Sequence, residues 1–390
     1  MTAYISLGMI RERLFVATAP AAFSLRGFGS FVSSGFAGMF VGTLLFSWIS
    51  DRFGRRTTFT VSLLWYSVAT LVMAFMRSAA AIDLWRFLAG IGIGVQLVTI
   101  DAYISELSPA HRRGYWIAFS QFIGYVAIPV AAFLAYLLVP RTIAGLAGWR
   151  YVALFGAAGA LFVGWFRRGL PESARWLSAR AGAGHGIAHA WRRIWSRDYR
   201  SRTAMLVVFN LVQTIGFYGF ASWVPILVAS QGIGFVKSLL YTFLIAILNP
   251  LGPLLAMRFA DSWQRKWQIV WLAIVIALAG LLFSRARAPA SIVLFGTIIT
   301  LANAWFSCAF HAYQAELYPT RIRAQAIGFV YSWSRFSSIF AGFLIAWLLH
   351  YYGVPGVFVG IALAMAVAAG SVGLFGTTTN RLELEELAPA

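Results

Sequence analysis

The sequence predicts an all-α membrane protein of two six-helix lobes in parallel pseudo-twofold repeat, with an incomplete first helix. Three observations carry this. Of 390 residues, 60% are hydrophobic and 11% charged, with mean hydropathy +0.76. A soluble domain is about half apolar and about a quarter charged, so this chain has too few charges to cover a water-facing globule. Eleven apolar segments are long enough to cross a bilayer, at roughly 31–49, 58–76, 82–104, 115–138, 151–166, 203–228, 235–257, 267–283, 289–312, 324–349 and 354–376. Third, the two halves match at one gap-free offset of 210 residues (261 − 51).

The segments read as helices because none alternates as a barrel strand does, and backbone polar groups in lipid must be satisfied within the segment. Basic residues set the orientation. The gaps at 50–57, 111–114, 167–202, 258–266, 320–323 and the tail from 377 hold 20 of the 31 Lys and Arg. The opposite gaps hold nine, and Arg86 and Arg335 lie within spans. The richer side is expected in the cytoplasm. The division is then residues 1–166 as the N-terminal lobe, 167–202 as a cytoplasmic linker, 203–376 as the C-terminal lobe and 377–390 as a cytoplasmic tail. The chain is expected to begin inside its first helix, short of about two turns. Residues 1–10 are its remaining outer part, Arg11, Glu12 and Arg13 its exit to the periplasm, and a misassigned start codon the cause. No signal peptide precedes the spans.

The net charge of +19 sits in short gaps between apolar runs rather than interleaved with aromatics on one face, which argues against nucleic acid. The lone Cys308 excludes a disulfide framework and a thiolate metal site, and reads as a small packed hydrophobe. No metal cluster or nucleophile–base pair points to an enzyme, no cofactor motif is present, and no phosphate-binding loop supports ATP-driven pumping. The glycines at 90, 92 and 94 follow no strand, so close helix packing explains them.

The repeat places Asp51-Arg52-Phe53-Gly54-Arg55-Arg56 on Asp261-Ser262-Trp263-Gln264-Arg265-Lys266. It also places Ala102-Tyr103, Glu106-Leu107, Pro109, Arg113 and Phe119 on Ala312-Tyr313, Glu316-Leu317, Pro319, Arg323 and Phe329. Parallel duplication of this kind is expected to put a binding site between the lobes near the midplane. Gly54 permits a tight turn, and Asp51 can accept hydrogen bonds from a helix N-terminus or an arginine. Glu106/Arg113 and Glu316/Arg323 are expected to form equivalent charged networks at the inner helix ends.

These motifs resemble the major facilitator superfamily across nearly the whole chain. Ser47 to Arg56 is similar to its loop signature between the second and third helices, G-x-x-x-D-R-x-G-R-R, departing at Ser47. Pro171-Glu172-Ser173-Ala174-Arg175-Trp176-Leu177 resembles the P-E-S-P-R-W-L of sugar-porter-like members, departing at Ala174. Arg86 with Gly90, Gly92 and Gly94, then Glu106 to Gly114, match the fourth helix and following loop, and Arg381 to Glu386 the post-helical tail. The resemblance implies that Asp51, Arg52, Gly54 and Arg55, with Asp261 as repeat counterpart, latch the inner face in the outward-open state. For Arg52 a purely topological role stands equally. Gly216 to Pro225 resembles metabolite:proton symporters of organic acids more than hexose carriers, whose glutamine-rich signature is reduced here to Gln213.

Ionisable groups within a span are functional candidates because they are costly there. Arg335, about twelve residues into its helix, is the first candidate for a substrate carboxylate, which guanidinium binds bidentately. Arg86, one turn inside the outer end, either binds the anion or snorkels outward. Asp101 and its repeat partner His311 are candidates for proton coupling. Asp101 alternatively pairs with latch arginines, and His311 alternatively packs between helices. Asp83 is expected at the outer interface. Gln213 either lines a cavity or bridges helices, and Tyr218 and Trp223 either stack on a substrate ring or pack. The expectation is a monomeric, proton-coupled, alternating-access transporter of a small organic acid in the cell (inner) membrane. It takes substrate and protons as partners, contacts lipid, and uses no cofactor or metal. A sugar or polyol symporter is the alternative, and a non-transporting sensor the third reading.

Overall fold

A computed structural model describes residues 2–17, 27–53, 55–107, 113–166, 193–259, 263–318 and 323–379. Side chains are described for these except 2–4, 44–53, 55, 97–107, 113–117, 163–166, 315 and 323–325. The chain runs α1 (Thr2–Arg11), α2 (Phe28–Phe53), α3 (Arg55–Phe75), α4 (Ala79–Leu107), α5 (Arg113–Leu138), β1 (Thr142–Ile143), β2 (Leu146–Ala147) and α6 (Gly148–Phe166). The second half comprises α7 (Arg200–Ala221), α8 (Val224–Ala229), α9 (Phe235–Ala246), α10 (Leu251–Phe259), α11 (Arg265–Arg285), α12 (Pro289–Glu316) and α13 (Arg323–Phe375). This is the expected all-α membrane fold of two repeated helical lobes.

The repeat is visible in the helix boundaries themselves. The starts of α11, α12 and α13 are those of α3, α4 and α5 shifted by 210 (265 − 55, 289 − 79, 323 − 113). The ends of α1 and α7 share that shift (221 − 11), so the ten residues of α1 match the last ten of α7.

Three predicted spans are interrupted, each for a local reason. The span over 203–228 breaks at Ser222–Trp223, after which Pro225 enters the first turn of α8, where its missing N–H costs nothing. The span over 235–257 opens into turns over 247–250 ahead of Pro250 and Pro253, because proline neither donates to nor clears the preceding helical turn. Finally, α13 holds two spans joined at Gly353, whose φ of 63° and ψ of −166° only glycine adopts readily, with Pro355 just beyond.

β1 and β2 pair antiparallel, Thr142 with Ala147 and Ile143 with Leu146, around a two-residue turn. Ala144 and Gly145 both have positive φ there, as a primed turn requires. This hairpin between α5 and α6 marks one end of the bundle (the hairpin end), and the α6–α7 connection the other (the linker end).

Small residues set the tightest seam, between α2 and α4. A Cβ on Gly38 or Gly42 would strike the carbonyls of Phe87 and Ile91, and one on Gly90 or Gly94 those of Gly35 and Met39. Gly92 instead faces α3, where a Cβ would lie 2.7 Å from the Ser62 carbonyl. Without a hydrophobic drive between helices in lipid, such close approach is what makes them adhere.

The lobes meet through α2 and α13, and through α5 with α9 and α10. Near the hairpin end, Gly29 and Gly342 face each other: a Cβ on Gly29 would lie 2.9 Å from the Gly342 carbonyl. Phe133 and Phe243 close the second pair, with ring centroids 5.4 Å apart. At the same end, Glu12 accepts from Trp149 Nε1 at 2.6 Å and pairs with Arg150 at 3.1 Å. Arg150, third residue of α6, also donates to the carbonyls of Ala74 and Met76 that end α3. The segment after α1 is thereby fastened to both α3 and α6.

Candidate functional site

Where the lobes part, a cavity of ≈ 260 Å³ lies between them. From the first lobe come Val32, Phe36 and Met39 on α2, Arg86 on α4, and Tyr125 and Ile128 on α5. From the second come Phe217, Tyr218 and Phe220 on α7, Thr242, Ile245 and Ala246 on α9, the Asn249 turn, and Thr300, Asn303 and Ala304 on α12. Among the described residues of this wall, Arg86 is the sole ionised side chain. Asn249, in the turn that separates α9 from α10, is buried in this wall.

Arg86 is 8% exposed and does not snorkel. α4 begins three residues before the predicted span, which sets Arg86 two turns deep. Its guanidinium lies over the Phe31 ring at 5.2 Å and against Gly35, where an added Cβ would sit 2.8 Å from Nε. The absent side chain at position 35 is therefore what gives the guanidinium room beside α2. Asp83, one turn earlier, is turned inward beside Ser30 with Oδ1 buried.

Tyr218 also lines the cavity. Its ring meets Phe36 edge-on at 4.5 Å across the lobes, and its hydroxyl accepts from Arg335 Nη1 at 2.7 Å. Arg335 is 1% exposed and stands behind Tyr218, outside the cavity wall. It also donates to Tyr331 and lies over that ring at 4.6 Å. Gln213 and Trp223 are buried and do not line the cavity. Trp223 instead packs edge-on against Phe28 at 5.4 Å, tying the start of α8 to the start of α2.

His311, near the linker end of α12, is outside the cavity. It stacks on Phe310 at 4.4 Å and meets Tyr331 edge-on at 5.1 Å. On α7, Asn210 donates to Gln314 at 2.8 Å, bridging α7 and α12. Polar groups at depth thus divide into helix bridges and cavity walls.

Of the expected latch residues, Glu316 is described and pairs with Arg265. Arg265 is the repeat counterpart of Arg55, a pairing available from the sequence repeat but not drawn from it. Gly54 and Asp261 lie outside the described residues. Asp51, Arg52, Arg55, Glu106, Arg113 and Arg323 lie in helices α2 to α5 and α13, with side chains outside the described set, as is that of Asp101. Tyr125 and Asn303 are among the cavity residues that sequence reading did not single out, and Gly35, which seats Arg86, was missed as well. Tyr125 sits at the repeat position of Arg335 (335 − 210), which was a usable signal. Asn303 is one amide among several within the spans, and Gly35 carried no signal at all.

The sequence model of the Major Facilitator Superfamily matches residues 3–303. The chain is 29% identical over 384 residues to the putative metabolite transport protein YyaJ of Bacillus subtilis (strain 168), covering 90% of this chain and 84% of that one. It is 27% identical over 389 residues to the niacin transporter NiaP of Acinetobacter baylyi, covering 92% and 87%. In fold it matches the xylose transporter XylE from E. coli in a partially occluded inward-open conformation, with TM-score 0.79, 21% identity, and 97% and 94% of the two chains covered. With duplicated lobes around a central cavity and a family match over most of its length, the chain belongs to the Major Facilitator Superfamily of membrane transporters.

Proposed function

We propose that this transporter carries a small organic acid, in symport with a proton, by alternating access in the cell (inner) membrane. In this reading the linker end and the C-terminus face the cytoplasm, which the 20-to-nine distribution of basic residues supports. The observation that carries the reading is Arg86: a guanidinium held at depth in the wall of an inter-lobe cavity. A buried cation in a spanning helix is costly, and a carboxylate is its natural ligand. Phe36, Tyr125 and Phe217 give the cavity aromatic walls, and ≈ 260 Å³ is at the small end for ligand pockets, which run from about 300 Å³ upward for drug-sized molecules. A single-ring or short-chain acid fits that volume. NiaP, named for niacin, a pyridine carboxylate, supports the same class.

Arg335 adds its positive field from behind Tyr218, while Gln213 and Trp223 support α7 and α8. Asp101 carries the coupled proton in this reading, with His311 the alternative carrier, and Asp51, Arg52, Gly54, Arg55, Glu106, Arg113, Asp261, Glu316 and Arg323 gate the linker end. With one proton per carboxylate the transported pair carries no net charge, so the pH difference drives accumulation, about 1.4 kcal/mol per pH unit. Sugar or polyol symport is the second reading, favoured by the amides and hydroxyls of Asn249, Asn303, Thr242 and Thr300 in the wall and by the fold shared with a xylose transporter.

Proteoliposomes holding the full chain, offered labelled nicotinate, benzoate and xylose under an imposed proton gradient, decide between them. Nicotinate or benzoate accumulation that an uncoupler abolishes is the expected result. Accumulation of xylose alone would replace the acid reading with the sugar one, and accumulation indifferent to the uncoupler would remove the proton.

A further inference from the structure

Arg335 is fully buried in the first of the two spans of α13 yet stands outside the cavity wall, so its place needs a reason other than direct contact. Guanidinium has five N–H donors and no acceptor. When Nη1 donates to the Tyr218 hydroxyl at 2.7 Å, that oxygen is fixed as an acceptor and its own hydrogen must point elsewhere. The rings nearest Tyr218 are Phe36 at 4.5 Å and Phe217 at 4.9 Å, and neither offers an acceptor. Tyr331 is likewise held as an acceptor by Arg335, and the remaining side of Tyr218 is the cavity it lines together with Tyr125.

We infer that Tyr218 is a hydrogen-bond donor fixed toward the cavity, its polarity set by Arg335, and that its hydroxyl is the second contact, opposite Arg86, for the substrate's carboxylate. This rests on the organic-acid reading above. Arg335 is in this account a positioning residue, acting through Tyr218. Accepting from a cation also polarises the O–H, so the hydroxyl donates more strongly than a free phenol does. Arg86 belongs to the first lobe and Tyr218 to the second, so one carboxylate held by both ties the lobes together at the moment of binding. A sugar has no need of two donors converging on one anionic group.

Nicotinate affinity of the purified full chain, measured by isothermal titration, tests this through a double-mutant cycle. Tyr218→Phe removes the donor and keeps the ring. It is expected to weaken nicotinate by about tenfold or more, the worth of one hydrogen bond to a charged group. Arg335→Met is expected to weaken it comparably, and the double variant to bind no more than about threefold worse than Tyr218→Phe alone, because coupled residues are not additive. Arg335→Lys, which still donates to the hydroxyl, is expected to restore part of the loss. Should Arg335→Met fail to fold, Tyr218→Phe alone decides, because unchanged nicotinate affinity in it overturns the inference. Unchanged affinity in Tyr218→Phe, or losses that multiply in the double variant, overturns the inference and leaves the acid reading standing. A wild-type chain that binds xylose but neither nicotinate nor benzoate overturns both.

Discussion

Arg265, the first residue of α11, forms an ion pair with Glu316, the last residue of α12. Both side chains are largely shielded, at 15% and 21% exposure, so the pair closes the linker end of the second lobe rather than decorating it. Lys266 beside it donates to the Gly376 carbonyl at 2.9 Å, drawing the end of α13 into the same corner. Glu316→Gln leaves Arg265 with a weaker partner in a partly desolvated site, and a loss of about 1–3 kcal/mol is expected. Thermal unfolding in detergent, followed by tryptophan fluorescence, measures it. Because Arg55 and Glu106 hold the equivalent positions in the first repeat, Glu106→Gln is expected to lower the melting temperature by a similar amount. A silent Glu106→Gln beside a costly Glu316→Gln would show that the two corners are built differently.

The α2–α4 seam gives a prediction of opposite signs. A Cβ at Gly94 meets the Met39 backbone, with Cα at 3.0 Å, and backbone cannot step aside. Gly94→Ala is therefore expected to cost about 1–3 kcal/mol through overpacking. Gly124 on α5 has nothing within 4 Å of its ideal Cβ. Gly124→Ala, which removes a flexible residue from a helix without a clash, is expected to be neutral or mildly stabilising. Fluorescence-detected size exclusion after a heat ramp separates the two. Equal behaviour would mean the α2–α4 contact is looser than the backbone distances imply.

The seam also shows what a sequence discloses and what it hides. Spans, their number and the repeat were legible because composition and period act through every residue of a helix, and the 210-residue shift recurs in three helix starts. The packing role of Gly90, Gly92 and Gly94 was legible because glycine at close spacing has few other uses in lipid. The site was only partly legible. Arg86 and Arg335 were conspicuous as buried charges, but depth along a helix does not say which way a side chain turns, and Arg335 proves to stand behind Tyr218. Trp223 looked like a ring-stacking residue and instead packs on Phe28, a contact between segments some two hundred residues apart that no local pattern encodes. The breaks at Ser222–Trp223 and 247–250 were hidden for a different reason: Pro225, Pro250 and Pro253 were visible, yet proline within a span is compatible with a kinked helix as well as a broken one.

Gly35 is expected to tune affinity through Arg86. Its missing side chain seats the guanidinium, so an added methyl 2.8 Å from Nε must shift a flexible side chain by a fraction of an ångström. Gly35→Ala is then expected to raise the KM for nicotinate uptake several-fold with little change in melting temperature, since the atom displaced is not backbone. Gly35→Val is expected to raise it further. If KM stays put while uptake continues, the pose of Arg86 against α2 does not govern binding.

Asn303 carries a buried Oδ1 without a hydrogen-bond partner in the cavity wall. Leaving a polar atom unsatisfied costs about 1–3 kcal/mol, which removing the amide relieves. Asn303→Ala is accordingly expected to keep or raise the melting temperature of the ligand-free chain while weakening nicotinate. The pyridine nitrogen of nicotinate is an acceptor and meets the amide's Nδ2 donor rather than Oδ1, so benzoate, which lacks that nitrogen, is expected to bind the variant nearly as well as the wild type. Parallel losses for the two acids would place Asn303 against the carboxylate or the ring edge rather than the heteroatom.

Proton coupling separates Asp101 from His311. They are repeat partners, but His311 is engaged on two sides, stacked on Phe310 and edge-on to Tyr331. An imidazole held between aromatic rings has little room to take up and release a proton with each cycle, and its contacts suit helix packing. The expectation is that His311→Asn retains gradient-driven accumulation, at a reduced rate, whereas Asp101→Asn loses it. A carrier of the coupled proton has a definite signature when removed: substrate still binds and exchanges across the membrane, but no longer climbs its gradient. Counterflow of labelled nicotinate in proteoliposomes reads the first property. Accumulation under an imposed pH difference reads the second, and one proton per substrate supports about tenfold accumulation for each pH unit. Asp101→Asn is expected to keep counterflow and fall to unit accumulation. The reverse pattern, with His311→Asn alone uncoupled, would assign the proton to the histidine and require the stacked ring to leave Phe310 during transport.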